Sequence, residues 1–221
     1  MNIESPVAGP APLAVYGGAF DPIHLGHLAL ARGVRDVFDA EVHLVPTGDP
    51  RHRDPAKASA QHRVAMLRLA IADEPGMAVD TREIERSGAS YTIDTLSELR
   101  SEQGEAVPLL LTIGSDSFRG LPTWRRWREL IGLAHIVVAL RSGASLDDLP
   151  RELGQLLAER RSEHASDLKH MPAGRIFVLP IPVYPQSSSG IRARIAAGES
   201  LDGEVPPAVA DYIHAHRLYV G

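Results

Sequence analysis

The sequence contains no cysteine, and this absence excludes several classes of protein at once. A chain without thiols has no disulfide scaffold, thiolate zinc site, iron–sulfur cluster or cysteine nucleophile. It also lacks any run of about 18 apolar residues, so no segment is predicted to span a membrane. The 23 Lys and Arg residues against 28 Asp and Glu residues give a net charge of −5, which argues against general nucleic-acid binding. The 221 residues are 44% hydrophobic, an ordinary composition for a globular protein.

Three common motifs of nucleotide and metal chemistry are also missing. No G-x-x-x-x-G-K-[ST] run is present, which excludes a Walker-type nucleotidase. No G-x-G-x-x-G follows the first predicted strand, which disfavours a dinucleotide fold for hydride transfer. The helical zinc motif H-E-x-x-H is absent as well, and no protein-held metal site is expected.

Apolar runs rich in β-branched residues alternate with longer segments of helical period. Strands that are apolar on both faces predict a parallel sheet covered by helices. We therefore expect an α/β, Rossmann-like doubly wound fold with a mostly parallel sheet, helices on both faces and a small C-terminal helical part. Residues 1–12 are polar and Pro-rich and are expected to form a flexible N-terminus rather than a secretory leader, which predicts a cytoplasmic protein. Residues 13–221 are expected to form a single domain.

Several helices are predicted from periodicity and caps. One covers residues 25–38, and another starts near Ser59. A third begins at about residue 92, capped by Ser90 or Thr92. Further helices are expected over residues 124–131, which would place Trp124 and Trp127 on one helix face, and over residues 146–163, followed by a mobile charged tail to residue 171.

The most informative segment, GGAFDPIHLGHL, directly follows the first predicted strand. Gly17 and Gly18 would let backbone N–H groups approach an anion, and Gly26 would leave space for a phosphate chain. His24 and His27 lie three residues apart, so they share one face at the start of a helix. An imidazole in this position donates to phosphate oxygens and stabilises charge on a leaving pyrophosphate. In parallel sheets, ligands bind at the carboxyl ends of the strands, which is where this segment lies.

Two other segments carry groups suited to phosphates. Arg51, His52, Arg53 and Lys57 follow the second strand and could clamp an anion, although a solvated charged loop is the alternative. The run SSSGIR at 187–192 combines cap hydroxyls, free helix N–H groups and a guanidinium, although a simple N-cap is the alternative.

The sequence resembles the nucleotidylyltransferase superfamily marked by a [His/Thr]-x-Gly-His loop. More closely, it resembles the bacterial nicotinate-mononucleotide adenylyltransferases, which condense nicotinate mononucleotide with ATP to give deamido-NAD and pyrophosphate. The blocks that carry the resemblance run almost from end to end: GGAFDPIHLGHL at 17–28, PTGDPRHR at 46–53, QHRVAMLRLAI at 61–71, SYTIDTL at 90–96, IGSDSF at 113–118, LPTW at 121–124, SSSGIR at 187–192 and PPAVADYIHAHRLY at 206–219.

The resemblance implies a role for particular positions. The catalytic residues would be His24, His27 and Arg192. The implied ATP-binding residues are Gly17, Gly18, Ala19, Phe20, His24, Gly26, His27, Gly114, Asp116, Ser188, Ser189, Ile191 and Arg192. The implied mononucleotide-binding residues are Thr47, His52, Arg53, Thr92, Asp116, Trp124, which would stack on the pyridine ring, and Arg141.

The resemblance also implies ATP and nicotinate mononucleotide as partners, with Mg²⁺ accompanying ATP as part of the substrate. No nucleic-acid or membrane partner is expected, and a homo-oligomer is possible. The sequence departs from the usual family pattern at Ala19, at Ser189–Gly190 and at Arg51, which replaces a proline. Nicotinamide mononucleotide, pantetheine phosphate as acceptor, and a non-catalytic nucleotide-binding regulator remain the alternative interpretations.

Overall fold

The computed structural model describes residues 10–48 and 56–220. Its strands are β1 (Leu13–Gly18), β2 (Glu41–Pro46), β3 (Met77–Val79), β4 (Leu109–Gly114), β5 (His135–Arg141), β6 (Arg161–Ser162) and β7 (Ile176–Ile181). Its α-helices are α1 (Leu25–Phe38), α2 (Ala60–Ala70), α3 (Arg82–Glu85), α4 (Thr92–Gln103), α5 (Ser115–Arg119), α6 (Trp127–Leu133), α7 (Arg151–Arg160), α8 (Ser188–Ala196) and α9 (Pro207–Ala215). Two 3₁₀ helices cover Leu121–Thr123 and Ala165–Lys169.

These strands form one sheet in the order β3-β2-β1-β4-β5-β7-β6, and each pair between neighbours is parallel. From β1 the chain moves outward through β2 to β3, and it then returns to place β4 on the other side of β1. The order therefore reverses between β1 and β4. In an open parallel sheet this reversal leaves a crevice at the carboxyl ends of the two strands.

Alternate residues of the strands build two separate cores, one on each face of the sheet. Ala14, Leu110 and Val137 point into one core, which helices α1, α2, α8 and α9 cover. Val15 and Leu111 point into the other core, which helices α4, α6 and α7 cover. This arrangement confirms the doubly wound fold, because strands apolar on both faces must be covered on both.

Helix α1 shows why the local sequence predicts its element well. Its bounds match the prediction, and its buried positions, from Leu28 to Phe38, recur at helical spacing. His24 caps its N-terminus, and Asp39 adopts a left-handed conformation with φ of 51° at its C-terminus. Both ends are therefore set within a few residues of the helix itself.

The prediction of one helix over residues 124–131 is wrong. Trp124 is extended, Arg126 adopts a left-handed conformation with φ of 52°, and the helix begins only at Trp127. The two tryptophans therefore do not share a helix face. Trp127 is buried in the core, whereas Trp124 is only partly buried.

The prediction of a helix over residues 146–163 is also wrong at both ends. Pro150 is the N-cap residue, directly before the first residue of α7. A proline disfavours helical backbone in the residue before it, so the helix does not begin earlier. Beyond Arg160 the chain does not form a mobile tail: Arg161 and Ser162 pair with β7, and Leu168 is fully buried. The expected side-chain cap of α4 is absent too, because Ser90 Oγ donates to the Glu83 carbonyl instead.

Candidate active site

A cleft opens at the crevice between β1 and β4, where the sheet order reverses. Its walls come from the ends of β1, β4, β5 and β7 and from the start of α1. The lining residues are Tyr16, His24, Gly26, His27, Leu30, Gly114, Ser115, Asp116, Ala139, Arg141, Ile181, Pro182, Tyr184 and Gln186. Six residues predicted for the site thus come together here: His24, Gly26, His27, Gly114, Asp116 and Arg141.

The two imidazoles at the start of α1 form a stacked pair. Their ring centroids lie 3.6 Å apart, with the ring planes inclined by 24°. The Nδ1 atom of His24 accepts from the backbone N–H of His27, and the Nδ1 atom of His27 accepts from the backbone N–H of His24, both at 3.3 Å. This reciprocal pair of bonds is a capping box that uses histidines in place of the usual Ser and Glu.

The protonation of this pair follows from its surroundings. Burial and then the positive charge of Arg141 lower the pKa of His24 to about 4. Burial, the neighbouring His24 and Arg141 hold the pKa of His27 well below its usual value. Both rings are therefore neutral at pH 7, and because each Nδ1 accepts a hydrogen bond, each proton lies on Nε2. The pair offers two Nε2–H donors at the cleft.

Gly26 makes room for two neighbouring side chains of the protein. A Cβ at this position would lie 3.1 Å from Nδ1 of His24 and 3.2 Å from Cβ of Tyr184. Gly26 also lines the cleft, and the expected space for a phosphate chain beside it stays a prediction. Gly26 lets the His24 ring and Tyr184 approach the helix backbone, so it positions the imidazole pair.

The segment between β1 and α1 is held by a buried aromatic ring. Phe20 adopts a left-handed conformation with φ of 48°, and its side chain is 1% exposed. Its ring packs edge-on against Tyr16 at 5.4 Å and against His27 at 5.0 Å between centroids. A Cβ on Gly18 would lie 3.0 Å from this ring. Phe20 therefore offers only its backbone to a ligand, while Gly17 and Ala19 are exposed.

Asp21, which the sequence analysis did not single out, connects four parts of the molecule. Its buried carboxylate accepts from the backbone N–H of Lys57 at 2.7 Å, from that of Ala58 at 3.0 Å and from the Tyr219 hydroxyl at 2.7 Å. Nη1 of Arg192 lies 3.9 Å from the carboxylate and donates to the Asp21 carbonyl at 2.7 Å. The only sequence signal was its place inside the GGAFDPIHLGHL block.

The start of α8 lies against the same segment. Ser187 is the N-cap, and its side chain accepts from the backbone N–H of Gly190. The Ser188 hydroxyl donates to the Pro22 carbonyl at 2.9 Å, two residues before His24. Ser189 is exposed and Arg192 is partly exposed. Ser188 and Arg192 therefore contact Pro22 and Asp21, the residues just before the histidine pair.

Ile191 lies differently from the other residues of this run. Its side chain is buried in the core, and its backbone N–H donates to the Ser187 carbonyl. Its side chain is therefore not available for the predicted contact with ATP.

The described residues that were predicted to bind the mononucleotide come from different segments of the chain, and of these Asp116 and Arg141 line the cleft. Trp124 packs on the same core as Tyr91, and the guanidinium of Arg125 lies 4.7 Å from the centroid of the Tyr91 ring. The segments that carry Thr92 and Trp124 are therefore neighbours in space. Thr47 follows β2 directly, and Arg141 ends β5 beside the histidines. Two further predicted residues, His52 and Arg53, lie outside the described residues.

The chain also matches known proteins in sequence. Residues 15–194 match the cytidylyltransferase-like family. A nicotinate-nucleotide adenylyltransferase from Stenotrophomonas maltophilia is 48% identical over 210 residues, which cover 92% of this chain and 95% of that relative. One from Hahella chejuensis is 46% identical, covering 95% and 96% of the two chains. The chain belongs to the nicotinate-nucleotide adenylyltransferase family.

Solved structures share the fold of this chain. The nicotinic acid mononucleotide adenylyltransferase of Plasmodium falciparum complexed with NaAD superposes with a TM-score of 0.70 at 19% identity, covering 95% of this chain and 98% of that chain. The same protein complexed with APC gives a TM-score of 0.68. As a family member the chain is a nucleotidyltransferase, which confirms the enzyme class that the sequence predicted.

Two further features bear on the environment of this adenylyltransferase. Within residues 10–48 and 56–220, no helix is both long enough and apolar enough to cross a bilayer. In the same part of the chain, no group of three or more histidine and carboxylate side chains is arranged to hold a metal ion.

Proposed function

We propose that the chain transfers the adenylyl group of ATP to nicotinate mononucleotide, giving deamido-NAD and pyrophosphate. The observation that carries the proposal is the stacked His24–His27 pair, which presents two Nε2–H donors at the crevice between β1 and β4. The names of relatives at 46–48% identity support the same reaction. A cytoplasmic location, suited to an ATP-dependent biosynthetic step, is part of the proposal.

The reaction needs positioning and charge stabilisation more than it needs a base. A phosphate oxygen of the mononucleotide attacks the α-phosphorus of ATP, the new P–O bond forms, and the bond to the bridging oxygen of pyrophosphate breaks. The nucleophile is already an anion at pH 7, so no proton has to be removed. Catalysis then consists of aligning two polyanions and stabilising the charge that develops on the leaving pyrophosphate.

The described residues supply groups of the right kind for that task. The two imidazole N–H groups act as uncharged donors, and they gain positive character if phosphate binding raises the lowered pKa of either ring. Arg141 adds a cation beside them in the cleft, and Arg192 adds another at the start of α8. The free N–H groups of that helix start complete an anion site.

Mg²⁺ enters this proposal as part of the ATP substrate. The cleft presents Asp116 as an acidic side chain rather than a carboxylate cluster, which suits a cation held mainly by phosphates and water. On this basis Mg²⁺ neutralises phosphate charge, and the protein recognises the complex mainly through its donors.

Thr92, Trp124 and Thr47 are proposed to bind the mononucleotide, with Trp124 stacking on the pyridine ring. The partly buried position of Trp124, in contrast to the buried Trp127, supports this assignment. His52 and Arg53 remain proposals from the resemblance.

Pyrophosphate release tests the function directly. We expect release with MgATP plus nicotinate mononucleotide, and little or none with pantetheine phosphate. Equal or faster release with nicotinamide mononucleotide would reassign the acceptor. Tight ATP binding without release for any acceptor would support a nucleotide-binding regulator instead.

A further inference from the structure

Helix α2 carries an arginine that is completely buried. Arg63 is 0% exposed, which is rare for a side chain that carries a permanent charge. Burying a guanidinium is costly unless its N–H groups are hydrogen-bonded. Nη1 donates to the Ala19 carbonyl and Nη2 to the Thr47 carbonyl, each at 2.8 Å.

The two carbonyls belong to the two segments that hold the reactants in the proposed function. Ala19 lies between β1 and the histidine pair, and Thr47 is the first residue after β2. A direct bond from the Thr47 N–H to the Gly18 carbonyl, at 2.9 Å, joins the same segments. Arg63 therefore lies at the point where the ATP side and the mononucleotide side leave the sheet.

A second connection joins these segments further along. The Asp21 carboxylate accepts from the backbone N–H groups of Lys57 and Ala58. The segment that begins at Thr47 is thus attached to residues 18–21 both where it leaves β2 and where it approaches α2. The attachment made by Arg63 differs from the others because it uses a rigid, planar guanidinium group.

We propose that Arg63 is a positioning residue that sets the separation of the ATP-binding and mononucleotide-binding segments. The inference rests on the proposed function, because it assumes that the two segments hold two reacting nucleotides. The planar fork of a guanidinium places two donors at a fixed distance, so it fixes both carbonyls at once. Displacing a reactant by about 1 Å costs as much as about 100-fold in rate.

The test compares Arg63→Lys with Arg68→Lys, a matched control because Arg68 is an exposed arginine on the same helix. Lysine keeps the charge but offers donors from one nitrogen only. We expect kcat of Arg63→Lys to fall about 10- to 100-fold. The dissociation constants for α,β-methylene-ATP alone and for nicotinate mononucleotide alone should change less than about 3-fold, because each nucleotide keeps the contacts of its own segment. Arg68→Lys should match the wild type in every measurement.

Hydrogen exchange gives a readout that does not depend on activity. In Arg63→Lys the Thr47 amide, which donates to Gly18, should exchange at least about 10-fold faster, since an order of magnitude corresponds to losing one modest hydrogen bond. If the wild type releases no pyrophosphate, the proposed function fails, while accelerated exchange at Thr47 still supports the connection between the segments. If the wild type is active but exchange and kcat are unchanged in Arg63→Lys, the positioning role is overturned.

The binding stoichiometry of α,β-methylene-ATP separates positioning from folding. A full stoichiometry with reduced kcat supports the proposal. If stoichiometry falls in Arg63→Lys, then Arg63→Gln, which keeps a short donor without a buried charge, repeats the comparison. If, in both variants, kcat falls only in proportion to the lost binding stoichiometry, then Arg63 contributes to folding alone and the proposal is rejected.

Discussion

His24 at the cleft and His135 in strand β5 are buried and His27 is partly buried, and burial lowers the pKa of all three. They differ in what their nitrogen atoms do. In His135, Nδ1 accepts from the Arg175 N–H at 3.0 Å and Nε2 donates to the Met171 carbonyl at 2.8 Å. In the pair, the fold uses Nδ1 of each ring, and each Nε2–H is left at the cleft. A lowered histidine pKa therefore does not by itself identify a catalytic group, and the difference between the two places is that only the pair keeps an N–H donor for a ligand.

The largest expected effect is on turnover at the pair. His24→Ala or His27→Ala should lower kcat about 100- to 1000-fold, as for loss of one donor to a developing oxyanion. The dissociation constant for ATP should rise far less, because the contact strengthens in the transition state. Steady-state kinetics and calorimetry measure the two quantities. His214→Ala, at an exposed histidine of α9, is the control. A variant with normal kcat and only a raised KM would contradict the comparison.

The next largest effect concerns the contribution of His135 to the stability of the fold. His135→Leu removes the acceptor of the Arg175 N–H and the donor to the Met171 carbonyl. We expect the free energy of unfolding to fall by about 2 kcal/mol, since buried polar groups lose their partners. Urea denaturation measures this loss, and kcat of the folded protein should stay within about 2-fold of the wild type, the change expected for a site without contact to the reactants. A large drop in kcat at full folding would show that His135 acts on the reaction.

The third prediction uses pH to sharpen the contrast. The pKa of His24 is about 4 in the folded protein and about 6.5 when unfolded, so the unfolded chain binds more protons between these values. The contribution of this neutral ring is present above pH 6.5 and is lost as the pH falls toward 4. This one group should change the free energy of unfolding by up to about 1.4 kcal/mol per pH unit.

His24→Asn tests the assignment because asparagine is a good N-cap but does not titrate. Urea titrations at pH 7, 6 and 5 should show a shallower pH dependence for this variant than for the wild type. Identical pH dependences in the two proteins would mean that His24 is not the group responsible.

The smallest expected effect separates two glycines of helix α1. Gly26→Ala would bring a Cβ within 3.1 Å of the His24 ring, so the ring must shift by a few tenths of an ångström. We expect kcat to fall about 3- to 10-fold, because a small displacement of a donor weakens its contact. Gly33→Ala meets no atom within 4 Å and should stabilise the helix by about 0.5–1 kcal/mol without changing kcat. Equal kinetic effects at both positions would contradict the positioning role of Gly26.

Much of the fold was predictable because its signals are local. Helix α1 has an amphipathic pattern and a cap within one turn, and its predicted bounds match those observed. The runs that form β1, β4 and β5 are apolar on both faces, and this predicted their place in a parallel sheet.

The errors arose where a single residue overrides periodicity. Pro150 delays helix α7, and the left-handed Arg126 delays helix α6. The packing of Leu168 under the core depends on contacts with α1, which is distant in sequence. No local pattern reports such contacts.

The candidate site divides in the same way. His24, Gly26, His27, Gly114, Asp116 and Arg141 were predicted from motifs, strand ends and the family resemblance, and the structure places them in one cleft. Asp21 and Arg63 were missed as separate residues. A charged residue on a helix is usually exposed, and only long-range contacts show that Arg63 is buried.

By itself, the sequence determined most of the alternation of strands and helices, the family and the position of the histidine motif, because these depend on local patterns and short blocks. Only the tertiary structure decided which histidine nitrogen faces the cleft, that Gly26 makes room for the protein's own ring, and that Arg63 joins two segments 28 residues apart at Ala19 and Thr47. The physical reason is that a hydrogen bond depends on which groups meet in space, and those partners come from different parts of the chain.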